Sequence, residues 1–244
     1  IHLDDLSVGG LKASKFAFGY TKNRDFSGNQ KLGGILGMSL PGHVDYVPGF
    51  KNHGWGGFIQ TLKNQGVIDE AMYQMTLKGD GGKLSIGEVD DSQYEGDLET
   101  LTNTGKAYGH CGFKGTLNGE KHNFLLDSGT TGIAGSYDSV KKFLQGMSGV
   151  ELVEEDKRGS VTGKVDCDSM PSFKISVDGK FDVKLSDDVM KKYDLGNGKC
   201  LLPIYCYTNM PRSYSYNWIV GGAFMREVSV VCKFDSNEMQ IARQ

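Results

Sequence analysis

The stretch FLLDSGTTGIAGS, residues 124–136, decides how this chain is read. Large apolar residues run directly into Asp127-Ser128-Gly129-Thr130, and mostly small residues follow. Asp, Ser and Gly are common turn formers, so in isolation the segment reads as an ordinary hairpin turn. It also reads as a strand that delivers a carboxylate to a tight turn, which is how a catalytic acid would be presented. The rest of the sequence has to choose.

Around this stretch the chain is suited to short strands. Glycine occurs 35 times and proline only 5 times, and with many Val, Tyr, Phe and Thr residues this favours strands joined by tight turns. With 38% hydrophobic and 23% charged residues, the 244-residue chain can bury a core. Its length suits one large β unit or two lobes. A net charge of -3 with dispersed Lys and Arg lacks the basic footprint of a nucleic-acid binder. No apolar run reaches the ~18 residues of a membrane span. The expected fold is mostly β with a few peripheral helices.

Local patterns fill in the elements. In SFKISVDGKFDVKLS (172–186), Phe173, Ile175 and Val177 alternate out and Phe181, Val183 and Leu185 alternate back. With Asp178-Gly179 between them, this predicts a two-residue hairpin with one buried face. FIQTLKNQGVI (58–68) predicts a helix with Phe58, Ile59 and Leu62 inward and Gly66 at its end. SYDSVKKFLQGM (136–147) predicts a helix capped by Ser136, with Val140, Phe143, Leu144 and Met147 as its buried stripe. VEEDKRGS (153–160) reads as a solvated loop or strand edge, and SDDVMKKYDLGNGK (186–199) as one helical turn and a Gly-rich loop. SYSYNW (213–218) either flanks a cleft or caps a sheet. Ser39 in GMSLPG is a loop residue, because Pro41 stands where a nucleophile elbow needs Gly.

Five cysteines without a C-x-x-C pair predict neither a structural zinc site nor a disulfide-built scaffold. Cys167 and Cys200 bracket the hairpin region and are expected to form a disulfide, two buried free thiols being the alternative. Such a bond implies an oxidising compartment. His110, Cys111 and His122 lie in KAYGHCGFKGTLNGEKH (106–122), which reads as two strands and a turn. They are expected in solvated or core roles rather than as metal ligands or a Cys-His dyad.

Ile35-Leu36-Gly37 in GGILGMSLPG and Ile219-Val220-Gly221 in NWIVGGAFMR repeat one pattern, two apolar residues and a glycine. Either triplet alone is weak. Combined with the Asp127 turn they become specific, as does the colinear order of further segments: LDDLSVGG, TLKNQGVIDEAMYQMTL, GKLSIGEVDDSQYEGDLETL, VDC with KC, and VVCKFDSNEMQIA. On these residues the chain resembles the pepsin-like aspartic proteases, especially the fungal secreted candidapepsins and yapsins, over essentially its whole length.

The resemblance implies a bilobal fold with an incomplete N-terminal lobe. Residues 1–97 would be the remainder of that lobe with inter-lobe strands, and 98–244 the C-terminal lobe carrying Asp127. In the family two carboxylates share one water. They lie too close for both to ionise easily, so one serves as general base and the other as acid, and the pair titrates as a unit. By resemblance, Asp127 is one member of the pair. Gly129 lets backbone amides approach the carboxylate, Ser128 braces the lobes, Thr130 hydrogen-bonds the acid and Thr131 lines the substrate cleft. No metal or cofactor is implied.

The second Asp and the flap over the substrate are expected upstream of Ile1, on an N-terminal light chain, this chain being the processed C-terminal part. The implied activity is an endopeptidase acting on peptides or proteins at acidic pH, secreted or vacuolar/lysosomal. The alternative is a catalytically inactive pepsin-like binding protein, prompted by Gly222, where the family usually has Asp, and by the extra cysteines. Of these, Cys206 and Cys232 are expected to pair, leaving Cys111 as the odd thiol.

Overall fold

The computed structural model describes residues 1–20, 33–39, 55–105, 109–155, 159–172, 174–206 and 216–244. A first hairpin, β1 (His2–Val8) and β2 (Leu11–Phe18), closes through Gly9-Gly10, both at positive φ, a backbone that glycine adopts without steric cost. Helix α1 (Phe58–Asn64) packs against β2 and buries Phe58, Ile59 and Leu62, as the pattern predicts. Gly66 ends it at φ 70. The Gly66 N–H donates to the Lys63 carbonyl and the Val67 N–H to that of Leu62, satisfying two carbonyls that the helix end would orphan.

Next come β3 (Met72–Lys78), β4 (Gly81–Ile86) and β5 (Glu95–Thr102). The hairpin of β6 (Gly112–Leu117) and β7 (Glu120–Leu126) turns through Asn118-Gly119, both at positive φ, bearing out the two strands and a turn read there. Then follow β8 (Ile133–Gly135), α2 (Tyr137–Gln145), β9 (Glu151–Glu155) and β10 (Ser160–Asp166). The chain continues through β11 (Lys174–Val177), β12 (Phe181–Lys184), the one-turn α3 (Asp187–Met190) and β13 (Lys199–Cys206). It closes with β14 (Trp218–Val220), α4 (Gly222–Met225), β15 (Val228–Lys233) and β16 (Glu238–Arg243).

A nine-stranded sheet has the order β12-β11-β6-β7-β14-β8-β13-β10-β9, and a five-stranded sheet the order β4-β3-β15-β16-β5. The smaller sheet therefore draws strands from both sides of residue 97. Aromatic rings pack at the large sheet: Phe113 stacks on Phe124 at 5.1 Å and on Phe224 at 5.6 Å between centroids. Trp218 is fully buried, with Phe143 5.8 Å from it.

Two local expectations need adjustment. In α2, Ser136 caps the helix by accepting the Ser139 N–H at 3.3 Å, but only Val140 and Leu144 are fully buried, Phe143 and Met147 partly. In the β11–β12 hairpin, Val177 pairs with Phe181, so Lys180 joins Asp178-Gly179 in the connection. The Lys180 N–H closes the turn onto the Val177 carbonyl at 2.8 Å, and the ladder resumes one residue later than predicted. Phe173 lies outside the described residues.

In β3 the usual burial is inverted. Gln74 and Thr76 are buried, whereas Tyr73, Met75 and Leu77 on the other face are only partly covered. The buried polar groups are satisfied by one another. Gln74 Nε2 donates to Ser229 Oγ at 2.9 Å, Thr76 and Ser229 share a 2.7 Å hydroxyl–hydroxyl bond, and Gln74 Oε1 accepts the Asp90 N–H at 2.6 Å. Ser229→Ala deprives both Gln74 and Thr76 of a partner. The expected cost is about 1–3 kcal/mol, read as a lower urea midpoint at unchanged slope.

Candidate active site

The Asp127 turn is assembled by β14. That strand runs parallel to β7, pairing Val220 with Leu126, and antiparallel to β8, pairing Val220 with Ile133. The Ile219-Val220-Gly221 triplet thus lies between the strand that enters the turn and the strand that leaves it. Asp127 N–H donates to the Val220 carbonyl at 3.1 Å, and Gly221 N–H to that of Gly132 at 2.9 Å. Gly222 and Ala223 N–H donate to the Thr130 and Thr131 carbonyls at 2.7 and 2.9 Å. Backbone lies so close to backbone here that a Cβ on Gly221 would stand 1.9 Å from the Thr130 carbonyl oxygen. The glycine of the triplet is a steric requirement of the site.

Within the turn both carboxylate oxygens are held. Gly129 N–H donates to Asp127 Oδ1 at 2.9 Å and the Thr130 hydroxyl to Oδ2 at 2.7 Å. Thr130 is buried, Asp127 half-buried, and Ser128, Gly129 and Thr131 exposed. Fixed in this way, the carboxylate forms part of a cavity of about 610 Å³. Leu36, Gly37 and Met38 bring the other triplet's neighbourhood to its wall, and Tyr73 and Met75 contribute the partly covered face of β3. Burial pushes the Tyr73 phenol up to about 12. Among the described residues lining this cavity, Asp127 is the only carboxylate. Ser39 also lines it.

Gly129 and Thr130 thus both hydrogen-bond the Asp127 carboxylate. Ser128 borders this cavity and also a smaller one of about 200 Å³, which Thr130 and Thr131 share. The sequence reading missed Tyr73, Met75 and Met38 on the wall. The alternation in MYQMTLK puts Tyr73 and Met75 on one face, but it does not reveal that this face is the one turned to the cavity. Tyr216 packs on Leu125, Ala134 and Ile219, the sheet-capping alternative for its segment; residues 213–215 lie outside the described ones.

Cys167 and Cys200 are bridged as expected, with Cα atoms 5.1 Å apart. The other pairing is corrected: Cys111 bonds Cys232, and Cys206 is the buried free thiol. The sequence placed Cys206 and Cys232 together because both sit near the C-terminal strands. They belong to different sheets, β13 and β15, and the Cys206 thiol bonds locally instead, donating to the Gly159 carbonyl at 3.1 Å. Cys111 therefore carries no thiolate for a Cys-His dyad. Two of the three groups in the cluster Cys167, Asp194 and Cys200 are committed to the S–S bond. Two disulfides fit an oxidising compartment. No helix among the described residues is long and apolar enough to cross a membrane.

Comparison with known proteins agrees with this geometry. A family model described as "Eukaryotic aspartyl protease" matches residues 1–244. A Malassezia globosa protein named "Probable inactive secreted aspartyl protease" is 98% identical over 244 residues, covering 100% of this chain and 63% of that protein. "Secreted aspartyl protease 1" of the same organism is 31% identical over 244 residues, covering 99% of this chain and 58% of its own length. The crystal structure of aspartic proteinase from Irpex lacteus superposes with a TM-score of 0.80 at 16% identity, over 99% of this chain and 76% of that one. The fold is thus a partial pepsin-like one. The chain spans less than two thirds of the length of those two curated relatives.

Proposed function

The chain belongs to the eukaryotic aspartyl protease family, and from that membership we propose that it supplies one carboxylate and part of the cleft of a peptide-hydrolysing centre, with Asp127 as that carboxylate. The observation that carries the reading is the grip on Asp127: one oxygen held by a backbone N–H, the other by a hydroxyl, at the edge of a cavity with apolar walls. A carboxylate whose two oxygens each accept such a bond is fixed in direction, with its oxygens held at the cavity edge. In that state it takes a proton from a water that attacks a peptide carbonyl. The proton for the carbonyl oxygen comes from a second carboxyl group contributed from outside these 244 residues, on an N-terminal segment or light chain. Two carboxyls sharing one proton then exchange roles without a covalent intermediate.

The test is cleavage of denatured haemoglobin at about pH 4, where carboxylates titrate, by the complete protein, with and without pepstatin. Asp127→Asn is expected to lower the rate at least about 100-fold. A parent protein no faster than Asp127→Asn would remove the reading.

A second reading is favoured by the name of the 98% identical relative, "Probable inactive secreted aspartyl protease". On that reading the same turn and cavity bind peptide without cleaving it. Pepstatin binding by calorimetry with no haemoglobin cleavage would support it, and pepstatin-sensitive cleavage would exclude it.

A further inference from the structure

The smaller cavity beside the Asp127 turn has a charge pattern that the hydrolytic centre does not use. It holds about 200 Å³, room for a side-chain carboxyl group rather than a bulky ligand. Among the described residues that line it are two cations, Lys78 from the end of β3 and Arg226 just after α4, and no carboxylate. Neither makes an ion pair with any described residue, so both charges are available to a ligand. Three hydroxyl-bearing residues line the same space: Ser128 and Thr131 from the turn, and Tyr193. The Ser128 and Tyr193 hydroxyls have no hydrogen-bond partner among the described residues. Gly222, on the same wall, extends no side chain into the space. Val189, Pro203 and Ala223 are buried and give the cavity an apolar back, which weakens screening and strengthens attraction for an anion.

From this arrangement we infer that the Lys78–Arg226 cavity is a receiving site for the carboxylate of an acidic side chain of a polypeptide. Arg226 offers a planar fork of donors suited to a carboxylate, and Lys78 a mobile point charge at the rim. Ser128 and Thr131 tie the site to the Asp127 turn, so an acid seated there would also brace that turn. The inference concerns binding and stands whether or not the centre hydrolyses peptides. The acid can belong to a bound peptide or to another part of the same polypeptide, and the two sources give different results.

The test uses the complete protein at about pH 6, where a Glu side chain of ordinary pKa ~4.3 is ionised. N-acetyl-glutamic acid α-amide is titrated in by calorimetry against its neutral glutamine counterpart, and thermal midpoints are measured for the parent, Lys78→Gln and Arg226→Gln. If a bound peptide is the source, the acidic probe binds at least about tenfold more tightly than the neutral one. Each variant then loses that preference without a change in midpoint. If the polypeptide fills the site itself, the probe does not bind. Each variant then lowers the midpoint more at about pH 6 than at about pH 3, because the stabilisation from a carboxyl paired with two cations shrinks below its ordinary pKa and is lost only as the pH falls through its lowered one. Lys78 is exposed, so Lys78→Gln reports even if Arg226→Gln folds poorly. Absence of a probe preference together with absence of a pH-dependent midpoint loss overturns the inference, whatever the haemoglobin assay shows.

Discussion

Gly221→Ala is expected to destabilise the protein by at least about 3 kcal/mol, lowering the thermal midpoint by roughly 6 °C or more. The reason is a specific contact. A methyl group there would stand 1.9 Å from the Thr130 carbonyl oxygen and 2.5 Å from its carbon, both backbone atoms that no rotamer change can move. Relief requires β14 to separate from the Asp127 turn, which breaks the bonds from Asp127, Gly221 and Gly222 that hold it. Gly222→Ala is the control. Its new carbon would meet the Thr131 carbonyl oxygen at 3.3 Å, and its φ is an ordinary one, so a change below about 1 kcal/mol is expected. Equal midpoints for the two variants would refute the steric account.

Removing the Cys111–Cys232 bridge is expected to cost about 5 kcal/mol, and removing Cys167–Cys200 about 4, if the effect is mainly on the unfolded chain. The order follows from the sequence separations of 121 and 33 residues, since a longer loop loses more freedom when it is closed. Double alanine variants, compared by urea midpoints without reductant, test the order, and Cys206→Ala should fall well below both. Peptide mapping of the non-reduced protein checks the pairing directly. A bridge to Cys206 in that map would remove the assignment. The longer bridge joins the segment entering β6 to β15, so it couples the two sheets along the wall of the Asp127 cavity.

The residues of the turn were legible because each has a local reason to be there. Asp127, Gly129 and Thr130 are close in sequence and meet through short bonds, and the two-apolar-plus-glycine triplet announces a strand that must pass very near another backbone. Helix α1 was equally plain, since its apolar stripe and Gly66 act within one helix. What could not be read depends on packing between distant segments. Nothing local tells Cys232 that its neighbour is Cys111 and not Cys206, because that choice is made by which sheet each strand joins. Nor does MYQMTLK show that its polar residues face inward, because their partner Ser229 is far away in the chain. The Lys78–Arg226 cavity was missed for the same reason, its two cations having no common motif.

The buried trio of Gln74, Thr76 and Ser229 has a consequence for how the sheet finds its alignment. β15 reads VSVVCK, so apolar burial alone scarcely distinguishes one setting against β3 from its neighbours. Ser229 does distinguish them, because it sits opposite Thr76 and within reach of Gln74. Slippage by one residue would set a valine against Thr76, leave its buried hydroxyl without Ser229 and take one of the bonds from the Gln74 amide, at about 1–3 kcal/mol for a buried group left without a partner. The trio thus works as a key that admits one alignment. Without it, as in Ser229→Ala, refolding should become slower and populate more than one species even where the final stability loss is modest.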